Sequence, residues 1–390
     1  MSAKLDPYDV HDLHTNLVER SMVAMDPQTG RYHLTETVRA FAAERLEAEQ
    51  QEIRLKHFHY FQAVACGMLE NDQRREMTKN LPLFEAESDN FRAAVDYAAG
   101  ADPALQLNLM TCLARTWFRV YPGEAIHELT RALDTAPDAS DADHIWARIR
   151  LAQVHLRTGA PELAEPLLLR ALADLETTDI PAAKADALLL LSWHGAWVHD
   201  WKESRRRALE AIEIAERNGF KNDMATGYSH LGEAERAQGD LEEAQRSYER
   251  ALALAADPVR RTIDLYNLGS VSIERGDLEA AERSFRSNID VFRNTPEATL
   301  LAASGFTGLG YVFVKQGEFR RAGLLMGHAE ERRSQKGIPL DPIDKNLHDR
   351  MMAMGNGGDV EFRKAFEEGR ALTYEQVLAV AGDADVSRKS

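Results

Sequence analysis

Three stretches of the chain carry one pattern of apolar, small and polar positions. They read LGEAERAQGDLEEAQRSYERAL from Leu231, LGSVSIERGDLEAAERSFRSNI from Leu268 and LGYVFVKQGEFRRAGLLMGHAE from Leu309. Each opens with Leu-Gly and runs to a second Gly followed by an acid and Leu or Phe. Ala then falls five residues, and a large residue nine residues, after that second Gly. Two fainter copies precede them: Leu151-Ala152 leads to Gly159, Ala164 and Leu168, and Leu191-Ser192 leads to His199, Ser204 and Ala208. The turn positions 159, 199, 239, 276 and 317 are spaced by 40, 40, 37 and 41 residues.

The pattern predicts five pairs of helices. Glycine inside a helix costs about 1 kcal/mol relative to alanine, so Gly232, Gly269 and Gly310 need a reason to recur at one position. Close approach of a second helix supplies it. Gly239, Gly276 and Gly317 are expected to close the first helix in left-handed conformation. Asp240, Asp277 and Glu318 are then placed at the start of the second helix, where acids favour its free amides and dipole. Ala244, Ala281 and Ala322 offer that helix a small contact surface. The unit resembles a tetratricopeptide repeat, drawn out beyond the usual period of roughly 34 residues. No unit buries its apolar face alone, so stacking into a superhelix with a concave face follows. Phe362 to Glu368 reads as a further helix ended by Gly369. Thr373 and Gln376 read as a capping box for a last helix through Val380.

The front of the chain has a different texture. HDLHTNLVE reads as a short helix, SMVAM and RYHL as a β-hairpin around the loop DPQTG, and a long helix follows from about Thr37. LVERSMVAMDPQTGRYHLTETVRAFAAERL resembles the winged-helix segment that follows the nucleotide-binding module in STAND-type ATPases with an NB-ARC core, as found in LuxR-type and SARP-type regulators. Leu17, Val18, Ser21, Val23, Arg31, Tyr32, Leu34, Glu36, Thr37, Val38, Arg39 and Ala42 carry the match. ESDNFRAAVDYA adds Glu87, Asp89, Asn90, Arg92 and Ala93, and FRKAFEEGRALTYEQVLAVA resembles the closing segment of such proteins. The linker Glu47-Ala48-Glu49-Gln50 and the shortened segment WFRVYPGEAIHEL depart from the family pattern. The resemblance implies the C-terminal half of such a regulator, starting inside the winged helix.

The fold class expected is therefore mainly all-α, a right-handed tetratricopeptide superhelix with a small N-terminal winged-helix-like α/β segment. The divisions expected are a partial winged helix over 1–50, a helical linker with the first hairpins over 51–140, and the superhelix over 141–335. Capping helices over 336–381 and a disordered tail over 382–390 complete the chain.

Composition narrows the function. Of 390 residues, 44% are apolar and 28% charged, with 63 acidic against 47 basic side chains and a net charge of −16. Phosphate tracking demands clustered Lys and Arg. The runs Arg205-Arg206-Arg207, Arg260-Arg261 and Arg332-Arg333 are embedded among acids and read as solvated helix faces. The first 50 residues hold five Lys and Arg against nine Asp and Glu, so Arg31 on the wing does not make a DNA reader. Neither nucleic acid nor an anionic membrane is an expected partner. No run approaches the roughly 18 apolar residues of a membrane span, and the N-terminus lacks a signal peptide, which leaves the cytoplasm as the expected location. Cys66 and Cys112 make neither a disulfide framework nor a zinc site. His57 and His59 diverge by roughly 200° on a helix, and His11 and His14 lack a third ligand. No phosphate-cradling loop, serine elbow or zinc-protease motif occurs. No cofactor, metal or catalytic residue is expected.

Counting from each Leu-Gly glycine, or its Ala and Ser counterparts, places Gln153, Arg157, Trp193, Trp197, Glu233, Arg236, Tyr266, Ser270, Glu274, Tyr311 and Lys315 on the concave face. Trp193 and Trp197 are four apart and share a helix face. Two roles compete for them, a ligand groove or packing against the neighbouring unit. The sequence thus points to a non-catalytic sensor or interaction module of a bacterial transcriptional regulator. It would bind a protein, a peptide or a small-molecule inducer, with a nucleotide-binding domain in cis or in trans. A freestanding tetratricopeptide scaffold is the alternative. Because no Gly-x4-Gly-Lys-Ser/Thr is present, this chain should show no heat of binding when titrated calorimetrically with ATP or GTP. Micromolar affinity for either would overturn the reading.

Overall fold

Nineteen helices and one two-stranded antiparallel sheet make up the regular structure among the described residues. The structure, a computed structural model, describes residues 7–27, 30–45, 50–73, 77–137, 139–256, 258–291, 293, 299–335, 340, 342–358 and 360–382. Part of the interhelical linker (residues 47–49), the centre of the hairpin loop and the tail beyond 382 lie outside these. At the front, α1 (Pro7–Glu19) leads into β1 (Val23–Met25) and β2 (Tyr32–Leu34), with Val23 opposite Leu34, and then α2 (Glu36–Arg45). Helix, hairpin and helix stand in the order the sequence predicts.

Seven antiparallel helix pairs follow. They are α3 (Gln50–Gln73) with α4 (Met77–Ala101), α5 (Pro103–Val120) with α6 (Pro122–Thr135), and α7 (Asp141–Arg157) with α8 (Pro161–Asp174). Next come α9 (Pro181–Trp197) with α10 (Trp201–Asn218) and α11 (Lys221–Gln238) with α12 (Leu241–Leu254). The last two are α13 (Pro258–Arg275) with α14 (Leu278–Val291) and α15 (Thr299–Gln316) with α16 (Phe319–Gln335). Successive first helices pack side by side from α3 to α15, while each second helix packs on its own partner and on the next first helix. The first helices thus form an inner layer, the second helices an outer one, and the chain is an all-α tetratricopeptide superhelix.

Each pair is set by two backbone facts. The first helix of the recognised repeats ends on a residue in left-handed conformation: Gly159 (φ 78°), Gly239 (88°), Gly276 (81°) and Gly317 (79°). His199 holds the same position at φ 59°, which costs a residue with a Cβ more than it costs glycine. The Leu-Gly glycine then receives the large residue sixteen positions later. A Cβ on Gly232 would lie 2.8 Å from the Tyr248 ring, one on Gly269 2.5 Å from Phe285, and one on Gly310 2.5 Å from Met326. In the fainter copies this register pairs Ala152 with Leu168 and Ser192 with Ala208, all four buried. As the first-helix residue grows, its partner shrinks, which keeps the interhelical spacing constant. The expected acids behave unequally: Asp277 Oδ1 accepts from the Ala280 amide at 2.9 Å, whereas Asp240 makes no side-chain cap.

The C-terminal end departs from the repeat. The helices here are α17 (Pro342–Gly358), α18 (Val360–Arg370) and α19 (Tyr374–Gly382). Thr373 and Gln376 form the capping box reciprocally, at 2.8 and 3.3 Å. Gly369 does not end α18, which continues to Arg370. Its role is contact: a Cβ there would stand 2.3 Å from the Leu324 carbonyl oxygen. Gly323 and Gly327 on α16 are equally closed, at 2.5 Å from the Phe362 carbonyl oxygen and 2.0 Å from that of Phe366. α16 and α18 therefore cross backbone to backbone over three glycines.

Gly269→Leu should cost about 3 kcal/mol or more in denaturant unfolding, since nothing lets the buried Phe285 ring retreat. Gly67→Ala, on a helix with open space around it, should be neutral or stabilising by up to about 1 kcal/mol. Equal effects at the two sites would remove the close-contact explanation.

Candidate concave binding face

The residues assigned to the concave face fall into two groups. Toward the N-terminal side, Trp193 and Trp197 on α9 are half-buried against the cluster of α7, α8 and α9. The Arg157 guanidinium, exposed at the end of α7, lies 5.6 Å from the Trp193 ring and 5.4 Å from Phe118. Gln153 and Glu233, on the neighbouring inner-layer helices, are half-buried, and the Trp197 Nε1 is buried without a hydrogen-bond partner among the described residues. The tryptophans pack against the α7–α9 cluster without being fully buried.

Toward the C-terminal side the face is covered. Tyr266, Ser270, Tyr311 and Arg236 are all buried, and only Lys315 stands exposed. Arg236, expected as a second guanidinium for a ligand, is committed within the chain. Its Nε and Nη2 donate to Glu274 at 3.1 and 3.2 Å, and its Nη1 donates to Asp344 on α17 at 3.2 Å. Arg350 on α17 donates to the same Glu274 at 3.0 Å, and Tyr311 Oη meets His348 Nδ1 at 2.9 Å. α17 thus lies across the inner layer, bonded to α11, α13 and α15 and touching α9. Burial opposes the charge on Arg236, but Glu274 and Asp344 outweigh it and raise the guanidinium above its ordinary value. Burial pushes the Asp344 carboxyl up against the pull of Arg236, and lowers the His348 imidazole. Sequence spacing carries no signal that a later helix would lie against Arg236, Glu274 and Tyr311.

The segments resembling the regulator family meet at the other end. Arg31, from the hairpin, donates twice to Glu87 on α4, at 2.7 and 2.8 Å. Asn90 donates to Glu87 at 2.7 Å and meets His57 at 3.3 Å. Arg92 then donates twice to Glu124, both at 3.1 Å, and Glu124 also accepts from the Trp117 indole at 3.2 Å. The hairpin is tied to the first helix pairs through these residues, and Arg31 is engaged with a carboxylate instead of facing a phosphate. Hydrogen bonding from Arg31 holds Glu87 below the usual carboxylate range.

Other charges serve the stack. Asp186 on α9 accepts from Arg150 on α7 at 2.7 Å and from Arg115 on α5 at 3.0 Å. Arg260, expected on a solvated face, is buried: it bridges Asp264 and the Ala225 carbonyl oxygen, and Ser229 completes Asp264 at 2.8 Å. Arg206, exposed, and Arg207, half-buried, pair with Glu203 along α10, and Arg333, also half-buried, pairs with Glu330, so only part of these runs is solvated. The Cys66 and Cys112 sulfurs stand 3.5 Å apart across α3 and α5 as free thiols, and burial pushes Cys112 up to about 12. Among the described residues no group of His, Cys, Asp or Glu is arranged to hold a metal, and no helix is long and apolar enough to cross a membrane.

Family models of the tetratricopeptide repeat match residues 193–257 and 145–170. Curated relatives from Mycobacterium bovis and Mycobacterium tuberculosis, whose assigned names propose HTH-type transcriptional regulators, are 34% identical over 121 residues. The match takes in 29% of this chain and 13% of the relatives' length. Among solved structures, aspartyl phosphate phosphatase F from Bacillus subtilis aligns with a TM-score of 0.56 at 12% identity, over 87% of this chain and 88% of that one. A Rap protein complexed with competence and sporulation factor aligns with a TM-score of 0.54 at 14% identity, over 82% and 94%. A STAND protein with a tetratricopeptide repeat sensor from Pyrococcus horikoshii aligns at 0.48 and 16% identity, over 93% and 61%. At these identities the first two likenesses speak for the fold alone, and with the repeat matches the fold is that of a tetratricopeptide-repeat superhelix.

Asp186→Asn should destabilise the chain by about 3–5 kcal/mol, because it leaves two partly buried guanidiniums without their carboxylate. Burial raises the Asp186 carboxyl, but Arg150 and Arg115 outweigh it and hold it below its ordinary 3.8. The pair's stabilisation is therefore full above pH 3.8 and is lost as pH falls through the lower folded value. Unfolding curves should show the wild-type advantage at pH 6 and its loss near the acid limit. A constant difference at every pH would contradict the assignment.

Proposed function

We propose that this chain is the sensing and partner-binding module of a bacterial transcriptional regulator, itself non-catalytic and working in the cytoplasm. A peptide or a segment of another protein binds along its inner layer. The observation that carries the reading is that the Arg157 guanidinium lies 5.6 Å from the Trp193 ring on the neighbouring inner-layer helix, with Trp197, Gln153 and Glu233 on the same layer and none of them fully buried. Aromatic and Arg side chains dominate binding hot spots.

Two further observations support a place in a larger regulator. The N-terminal hairpin and helices expose Leu13, Met25, Tyr32, Phe41 and Tyr60 at 47–64%, as a winged-helix segment does that docks against a nucleotide-binding domain. The mycobacterial relatives are proposed regulators and are far longer than the shared segment. A Rap protein of similar fold has been solved in complex with competence and sporulation factor, which is consistent with ligand binding as the role of this chain.

The test is quantitative capture from native lysate by the full chain, wild type beside Trp197→Ala, with retained species measured by mass spectrometry. A hot-spot tryptophan is worth about 2 kcal/mol or more, so the variant should lose its specific species at least ~30-fold. Its melting temperature should stay within about 2 °C of wild type. A variant that melts much lower while keeping the same species would make Trp197 a packing residue and take the ligand strip away from α9.

A further inference from the structure

The geometry points to α17 as a built-in occupant of the concave face, standing where an amphipathic helix of a partner binds. This deepens the proposed function and rests on it.

α17 is placed like a ligand. A further first helix of the stack would pack on α15 and α16 alone, yet α17 reaches back to α9, α11 and α13. The place beside α16 is taken by α18, through the three-glycine crossing. The contacts of α17 are those of a recognised helix: a carboxylate in the first turn on Arg236, a guanidinium six residues later on Glu274, and Leu347 and Met351 buried on the same helix. Asp344, Leu347 and Met351 recur at the spacing of one helix face.

Its last turn is weak as a helix. It contains Gly355, Gly357 and Gly358; Gly355 is closed by the Phe362 ring of α18, 2.8 Å from where a Cβ would stand, whereas Gly357 has open space about it and no packing reason offsets its poor helix propensity. Met354 is 43% exposed. The Tyr248 hydroxyl, near enough to Arg236 and Glu274 to feel their charges, and Asn267 Nδ2 on α13 are buried without a hydrogen-bond partner among the described residues. α17 therefore answers the charges of the face and leaves polar groups unanswered. A partner helix of the same design that also pairs with these groups displaces it, and α18 and α19 keep their own hold on α16 when α17 leaves.

The experiment uses the full chain and a fluorescent synthetic peptide of residues 342–358. Two release variants, Asp344→Asn with Arg350→Gln, and Leu347→Ser with Met351→Ser, should bind the peptide at least 10-fold more tightly than wild type. The same peptide carrying Asp344→Arg should lose that binding. Equal affinity for wild type and both variants, or no binding to any of them, overturns the proposal. Should a variant unfold, hydrogen exchange on the wild-type chain decides: α17 amides exchanging at least 10-fold faster than those of α15 and α16 support a removable helix, and equal protection overturns it. Loss of peptide binding with Trp197-dependent capture intact would remove the built-in occupant and leave the proposed function standing. Intact peptide binding without Trp197-dependent capture would do the reverse.

Discussion

One steric fit repeats along this chain and sets the geometry of everything else: a residue without a side chain on the first helix of a pair receives a large side chain from the second. Gly232 takes Tyr248, Gly269 takes Phe285 and Gly310 takes Met326. Where the first helix carries Ala152 or Ser192, the residue at the matching position is Leu168 or Ala208. Interiors pack at the density of organic crystals, so neither side of such a pair changes alone without moving a helix. The fixed spacing lets successive first helices lie side by side as an inner layer, and that layer is what presents Arg157, Trp193 and Arg236 on one surface.

Between the units, charge takes over from shape. Asp186 joins three first helices, Asp264 joins α11 and α13, and Arg236 joins α11 to α13 and to α17. A buried ion pair adds little net stability over a well-packed apolar contact, but breaking one is costly, so these bridges fix register more than they add strength. The concave face inherits both properties. Toward its N-terminal half Arg157 lies beside the half-buried Trp193, and toward its C-terminal half α17 closes it through Asp344, Arg350 and His348.

The helix pairs, their left-handed turn residues, the hairpin and the last capping box were legible in the sequence because each depends on neighbours within about twenty residues. What stayed hidden depends on distant partners. Gly369 looked like a helix end, yet it serves a crossing with Leu324, 45 positions earlier. Arg260 sat in a charged run and read as solvated, while its partners Asp264 and Ala225 bury it. Arg236 reads as a groove residue, but its carboxylate partner Asp344 lies 108 residues on, on a helix whose sequence gives no sign of turning back. The Arg31–Glu87 link joins two segments that family resemblance had singled out separately. Periodicity reports which face of a helix is apolar; it does not report what later covers that face.

The steric fit within a pair is tested most directly by a double-mutant cycle on Gly232 and Tyr248 in denaturant unfolding. Gly232→Ala should cost about 1–3 kcal/mol beside the intact tyrosine, since its Cβ would stand 2.8 Å from the ring. In the Tyr248→Ala background the same change should cost nothing, or stabilise by up to about 1 kcal/mol through helix propensity. The account predicts a coupling of at least about 1 kcal/mol between the two sites. A Gly232→Ala cost that is the same in both backgrounds would contradict it.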